Sequence, residues 1–218
     1  MSKLIFLQIV AYLLRNFFQD MTFTLLLIAI NVTVSLAALY GPPVIYEKGM
    51  LRPYRTVRMQ TWYEVITSGF IHGSISHLLV NMFVLFFFGI VMEQVLGIPH
   101  FLGLYFSGLV FSSLPSLIKH KDNPDFATIG ASGAVESVLF SYIFVFPTEK
   151  LILILLPIPI PAWFFGILFL AYSIFEGKRG VGKVNHAAHI AGAVWGVLYL
   201  LFFVPNSLDH ILTIFGWL

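Results

Sequence analysis

Ser132 and His189 are the two residues whose types and surroundings point most directly to covalent chemistry. A serine hydroxyl is a weak nucleophile until a base takes its proton, and histidine is the commonest such base. His77 and Asn81, at i and i+4, project from one face of any helix containing them. Their side chains carry the N–H groups that stabilise an oxyanion, and backbone N–H groups at the start of a helix opening at Ser132 would add to them. Ser132 stands in Gly130-Ala131-Ser132-Gly133-Ala134, where small residues let backbones approach closely. His189, Gly192 and Gly196 fall at i, i+3 and i+7, so one stripe carries an imidazole above a GxxxG packing surface. No metal and no cofactor are expected. HExxH is absent, His72 and His77 miss the i, i+4 spacing, and His186 with His189 would need a carboxylate from elsewhere.

The elements that must position these groups are apolar helices. Of 218 residues, 59% are apolar and 10% charged, and the mean hydropathy is +0.92. Soluble domains carry about 25% charged residues, so the chain reads as an all-α polytopic membrane protein. A helix crosses the hydrocarbon core in about 20 apolar residues. Segments 21–40, 78–96, 99–118, 132–147, 151–174 and 187–205 qualify, the fourth being short. In the fifth, Pro157, Pro159 and Pro161 block regular helix, which predicts an extended lead-in over 151–160 and a helix from about Ala162. Even-numbered spans run in one direction. The starts of the second, fourth and sixth, bearing His77 and Asn81, Ser132, and His189, therefore share one side of the membrane.

Residues 1–20 repeat Phe6, Val10, Leu13 and Phe17 at helical spacing with Gln8, Arg15 and Gln19 opposite, an amphipathic surface helix. Residues 21–206 form the six-helix membrane domain, with a long aromatic first loop at 41–71 expected to fold onto the bundle's side. Residues 207–218 make a short apolar tail, too short to span. A net charge of +2 gives no case for nucleic acid, and the absence of cysteine excludes disulfides and thiolate sites.

The motifs resemble those of the rhomboid intramembrane serine proteases. The matching stretches are His72-x4-His77-x3-Asn81, Gly89-x3-Glu93-x3-Gly97, Gly130-x-Ser132-Gly133 and Ala188-His189-x2-Gly192-x3-Gly196, in family order over about 67–196. The resemblance implies a six-helix core and cleavage of peptide bonds in or beside the transmembrane segments of protein substrates. It implies Ser132 as nucleophile, His189 as base, and an oxyanion hole of Asn81, His77 and the Ser132 backbone N–H. Gly192 and Gly196 would pack the sixth helix on the fourth, and the lipid bilayer would be the working solvent. The sequence leaves oligomeric state open.

Two positions depart from the family pattern. Tyr63 and Glu64 stand where members often carry Trp-Arg, which puts that arginine's salt bridge in doubt. Glu136 stands where some members stack a tyrosine on the catalytic histidine. Either Glu136 accepts a hydrogen bond from His189 and steadies its protonated form, or it bonds other helices and stays protonated.

Basic residues number nine on the active-site side by parity and three on the other, which alone would turn the site toward the cytoplasm. The resemblance implies the opposite for bacterial relatives. With no transit-like leader in the sequence, the expectation is a bacterial cytoplasmic membrane with the site facing the extracytoplasmic side. Two rival readings are a non-catalytic rhomboid-like protein that binds transmembrane clients, and a small-solute transporter, for which inverted repeats are missing.

Overall fold

Within lipid an apolar chain satisfies its own backbone N–H and C=O groups only as helix or closed barrel, and this chain takes the helical solution. A computed structural model describes residues 22–153, 156–179, 185–214 and 216. The amphipathic helix expected over 1–20 lies outside the described residues. Helix α1, Phe23–Tyr40, starts at a Thr22 cap whose side chain accepts from Leu25 N–H. Short helices α2 (Pro43–Gly49), α3 (Pro53–Arg58) and α4 (Glu64–Thr67) build the first loop. Helix α5, Ile75–Val84, passes through a π-helical turn at Leu85–Gly89 into α6, Ile90–His120.

The apolar run Ile75–His120 has 46 residues. At about 1.5 Å per residue it is roughly twice the hydrocarbon thickness, so it must make two passages. Gly97 divides them. Its φ of 73° is left-handed, which glycine adopts without a Cβ penalty. Pro99 follows where a restarting helix can spare an N–H. Helix α7, Ser132–Val145, is apolar but short. The proline-rich lead-in is extended, as expected. Strands β1 (Lys150–Leu153) and β2 (Leu156–Pro161) pair antiparallel, Lys150 opposite Pro161, and α8 begins at Ala162 and ends at Arg179. Helix α9 runs His186–Phe203, and the tail holds a short α10, Ser207–Ile214.

Helices α6, α7 and α9 form the centre of the bundle, with Phe101, Leu104, Tyr105, Ala134 and Val138 fully buried among them. Large apolar side chains such as Leu79, Val80, Phe87 and Phe202 point outward, as a bilayer-facing surface requires.

The motif Gly89-x3-Glu93-x3-Gly97 acts here as a unit. Glu93 is buried and accepts from the N–H groups of Phe23 and Thr24, both at 2.8 Å, and from Thr24 Oγ1 at 2.7 Å. It thus supplies from another helix the acceptors that the first turn of α1 lacks. A Cβ on Gly89 would lie 2.8 Å from Thr24 Cγ2, so only glycine admits α1 this closely.

The first loop does fold onto the bundle's side, with Leu51 and Val65 packed on Leu117 of α6. Its anchor is Glu64, fully buried, which takes Arg55 Nε at 2.6 Å, Arg52 N–H at 2.9 Å and Thr56 Oγ1 at 2.9 Å. Where the family pattern offers an arginine, this chain buries a carboxylate and draws its cation from α3. In this loop the ion pair is Arg55 with Glu64.

Candidate active site

Ser132 is the first residue of α7, so helix geometry leaves the N–H groups of its first turn without intrahelical acceptors. The turn before it is tightly fixed. Gly130 adopts φ 116°, donates its N–H to Ser68 O at 2.9 Å, and leaves no room for a Cβ, which would sit 2.6 Å from His77 Cε1. The His77 ring therefore lies directly over the turn that presents Ser132.

His72, fully buried, fastens that turn to α1. Its Nε2 accepts from Ala131 N–H at 3.4 Å, so the ring proton must reside on Nδ1, 2.8 Å from Ser35 Oγ. Ser35 then spends its own proton on Phe70 O at 2.9 Å. The network admits only the neutral Nδ1–H tautomer. Burial, with His77 beside it, pushes the His72 pKa down to about 3.

The base candidate is set by helix packing. A Cβ on Gly192 would collide with the carbonyl of Gly133, and one on Gly196 with that of Ser137. Ser137 Oγ lies 2.9 Å from both Gly133 O and Gly192 O, and Ser141 Oγ donates to Gly196 O at 2.9 Å. These contacts lock α7 against α9, with Ser132 next to the first of them and His189 one turn before Gly192. Both residues line one cavity of about 700 Å³ together with His77, Gly130 and Gly133. The far wall is a hydroxyl row on α6, Ser112, Ser113 and Ser116, and Asn185 closes the rim. Such a lining can hold water inside the bundle, which hydrolysis in a membrane requires.

Among the described residues no hydrogen bond joins Ser132 Oγ to His189. Bonds of this kind are commonly long until substrate binds. Asn81 is buried, and its Nδ2 donates to His77 O at 3.0 Å. It lies one turn along α5 from His77, and among the described residues its second amide proton has no partner. Glu136 is buried, with no hydrogen bond to His189 and none at its Oε2 among the described residues. The aromatic plane at His189 comes instead from α8: Phe169 lies parallel to the imidazole, interplanar angle 9°, at 6.3 Å between centroids. Sequence reasoning missed Phe169, which no local spacing connects to His189. It also missed Asn185, although an Asn just before an apolar helical run is an N-cap signal. Among the described residues no group of three or more His, Asp or Glu is placed to hold a metal ion.

A family model of the Rhomboid domain matches residues 59–206. Rhomboid protein 1, mitochondrial, of Saccharomyces cerevisiae is 33% identical over 142 residues, 62% of this chain and 40% of the yeast protein. RHOMBOID-like protein 12, mitochondrial, of Arabidopsis thaliana is 32% identical, covering 60% of this chain and 43% of its own. Presenilin-associated rhomboid-like protein A, mitochondrial, of Danio rerio is 36% identical over 62% of this chain and 36% of its own. The chain spans about two fifths of the length of these curated relatives. Their names overturn the expected bacterial cytoplasmic membrane, and with it the extracytoplasmic face assigned to the site. The expectation leaned on the missing leader, and a stretch matching two fifths of longer proteins carries no information about leaders. The chain belongs to the rhomboid family.

Proposed function

We propose that this member of the rhomboid family is an intramembrane serine endopeptidase acting on transmembrane segments of protein substrates, and that it works in a mitochondrial membrane, as the names of its relatives suggest. The observation that carries the reading is convergence: Ser132, His189 and His77, far apart in sequence, line one hydroxyl-rich cavity inside an apolar bundle.

Ser132 Oγ attacks the carbonyl carbon of the scissile bond while His189 takes the hydroxyl proton. The oxyanion that forms is held by the unpartnered N–H groups at the start of α7, by His77 above them and by the free amide proton of Asn81. His189 then delivers its proton to the leaving amine, giving an acyl-enzyme. A water from the cavity, deprotonated by the same imidazole, attacks the ester and releases Ser132. His189 needs no carboxylate in this scheme. Phe169 on one side and the glycine-packed interface below hold the ring in place. The membrane domain of residues 21–206 carries every residue used in this scheme.

Cleavage of a reconstituted model transmembrane substrate tests the proposal. Wild type is expected to cut and to take a serine-reactive phosphonate label, and Ser132→Ala and His189→Ala are expected to do neither. A folded wild type that neither cuts nor labels would identify a protein that binds transmembrane clients without cleaving them.

A further inference from the structure

Asn185 caps the helix that carries His189, and every hydrogen-bonding group of its carboxamide is committed. Its Oδ1 accepts from Ala188 N–H at 3.2 Å, the usual task of an N-cap. Its Nδ2 faces away from α9, donating to Ser116 Oγ on α6 at 2.8 Å and to Thr128 Oγ1 at 3.3 Å. Thr128 stands four residues before Ser132 and exchanges both backbone hydrogen bonds with Leu51 of the first loop, each 3.0 Å. One side chain thus joins the base's helix, the strand leading to the nucleophile and, through it, the first loop.

The position of the junction gives it a purpose that capping does not. Gly192 and Gly196 fix α9 one and two turns below His189, where backbones touch. Above that contact His189 sits in the first turn, whose backbone is the least constrained part of any helix. His189 N–H reaches Asn185 O at 3.2 Å, so the height and rotation of the imidazole follow those of Asn185. A shift of about 1 Å in a reacting group can cost on the order of 100-fold in rate.

We propose that Asn185 is a positioning residue: it sets the His189 base against Ser132 by tying the start of α9 to Ser116 and to the Thr128–Leu51 bridge. The role rests on the protease reading, but the junction itself is a structural claim that can be tested without activity.

Asn185→Ser separates the two tasks, since serine caps a helix as well as asparagine but is too short to reach Ser116. The full chain, reconstituted in phosphatidylcholine vesicles, is compared as wild type, Asn185→Ser, Ser116→Ala and the double variant. The readouts are melting midpoint, kcat and KM for a model transmembrane substrate, and amide exchange. Asn185→Ser is expected to melt near wild type with KM unchanged and kcat lowered about 10- to 100-fold. Its exchange should quicken together over 126–132 and 185–190. The double variant should be no worse than Asn185→Ser alone, because the bond that Ser116→Ala removes is already lost in it. Ser116→Ala alone, which disturbs no cap, should show the same kcat loss in milder form and keeps the test open if Asn185→Ser folds poorly. A wild-type kcat in Asn185→Ser with unchanged exchange over 126–132 overturns the proposal, as do losses that multiply in the double variant. If wild type neither cleaves nor labels at Ser132, the protease reading fails instead, and the paired exchange alone decides whether the junction exists.

Discussion

The two halves of the candidate site are built by opposite means. At the rear, α7 and α9 meet backbone to backbone, with Gly192 against the Gly133 carbonyl and Gly196 against that of Ser137, and Ser137 and Ser141 hydrogen-bond across the seam. At the front, His77 and Asn81 ride on α5, whose outer face exposes Leu79, Val80 and Phe83 and which passes into a π-helical turn one residue after Val84. Its polar supports are local, a Ser74 cap on His77 N–H at 3.2 Å and the Asn81 bond to its own helix, and Leu78 and Met82 pack it on the core. The proposed nucleophile and base sit on backbone contacts that cannot slide without collision, while the proposed oxyanion donors sit on a helix held by the side-chain packing of Leu78 and Met82, which leaves more room to adjust. π-turns recur at functional sites, and a substrate helix entering past α5 would need such freedom. Rear and front should therefore respond differently to substitution.

The largest effect is expected at the front and in rate alone. His77→Ala should lower kcat about 100- to 1,000-fold, the usual cost of one oxyanion donor. The melting midpoint should move little, since the ring is only half-buried and its side chain makes no hydrogen bond among the described residues. A comparable loss of stability would mean that His77 braces the Gly130 turn, and the contrast between halves would weaken.

At the rear, stability and activity should fall together. Gly192→Ala forces a methyl against a backbone carbonyl that cannot move aside, and overpacking of this kind costs about 1–3 kcal/mol. By displacing His189 it should also lower kcat on the order of 100-fold. Ser137→Ala removes the hydrogen bond but leaves the close approach, so about 1 kcal/mol is expected. Denaturation in mixed micelles beside the cleavage assay checks both. Gly192→Ala that cuts normally would show that the glycine seam does not set the distance between nucleophile and base.

This division was only half legible in the sequence. The spans, the break before Ala162 and the shared side of Ser132, His189 and His77 follow from apolar length, proline and helix parity, which are local or additive properties. Spacing also placed the rear seam, because a GxxxG stripe announces close approach whatever lies opposite. What stayed hidden depends on which partners the fold brings together, most of them distant in sequence. Glu93 caps a helix about 70 residues earlier, Phe169 supplies the aromatic plane once assigned to the position of Glu136, and Glu64 takes its cation from Arg55. The Arg55–Glu64 pair left a visible trace in opposite charges at nearby positions. Glu136 left none, and among the described residues its Oε2 finds no hydrogen-bond partner.

The smallest predicted effect lies where the halves join. His72 bridges α1 and the Ala131 turn as a neutral ring, and its pKa is pushed to about 3 by burial with His77 adjacent. An unfolded histidine titrates near 6.5. Between these values the unfolded chain binds a proton that the native chain refuses, so this residue makes stability fall as pH drops from about 6.5 toward 3, and adds no slope above it. His72→Gln keeps an acceptor for Ala131 N–H and a donor for Ser35 without titrating. Its melting midpoint should therefore fall less steeply than wild type between pH 7 and pH 5, while at pH 8 it should lie slightly below. Parallel curves would assign the acid slope to other groups and leave His72 as a plain brace. A flatter curve with kcat per folded molecule unchanged would show that the seam is held by the neutral tautomer, whose single Nδ1 proton decides which way each bond between α1 and the Ser132 turn can point.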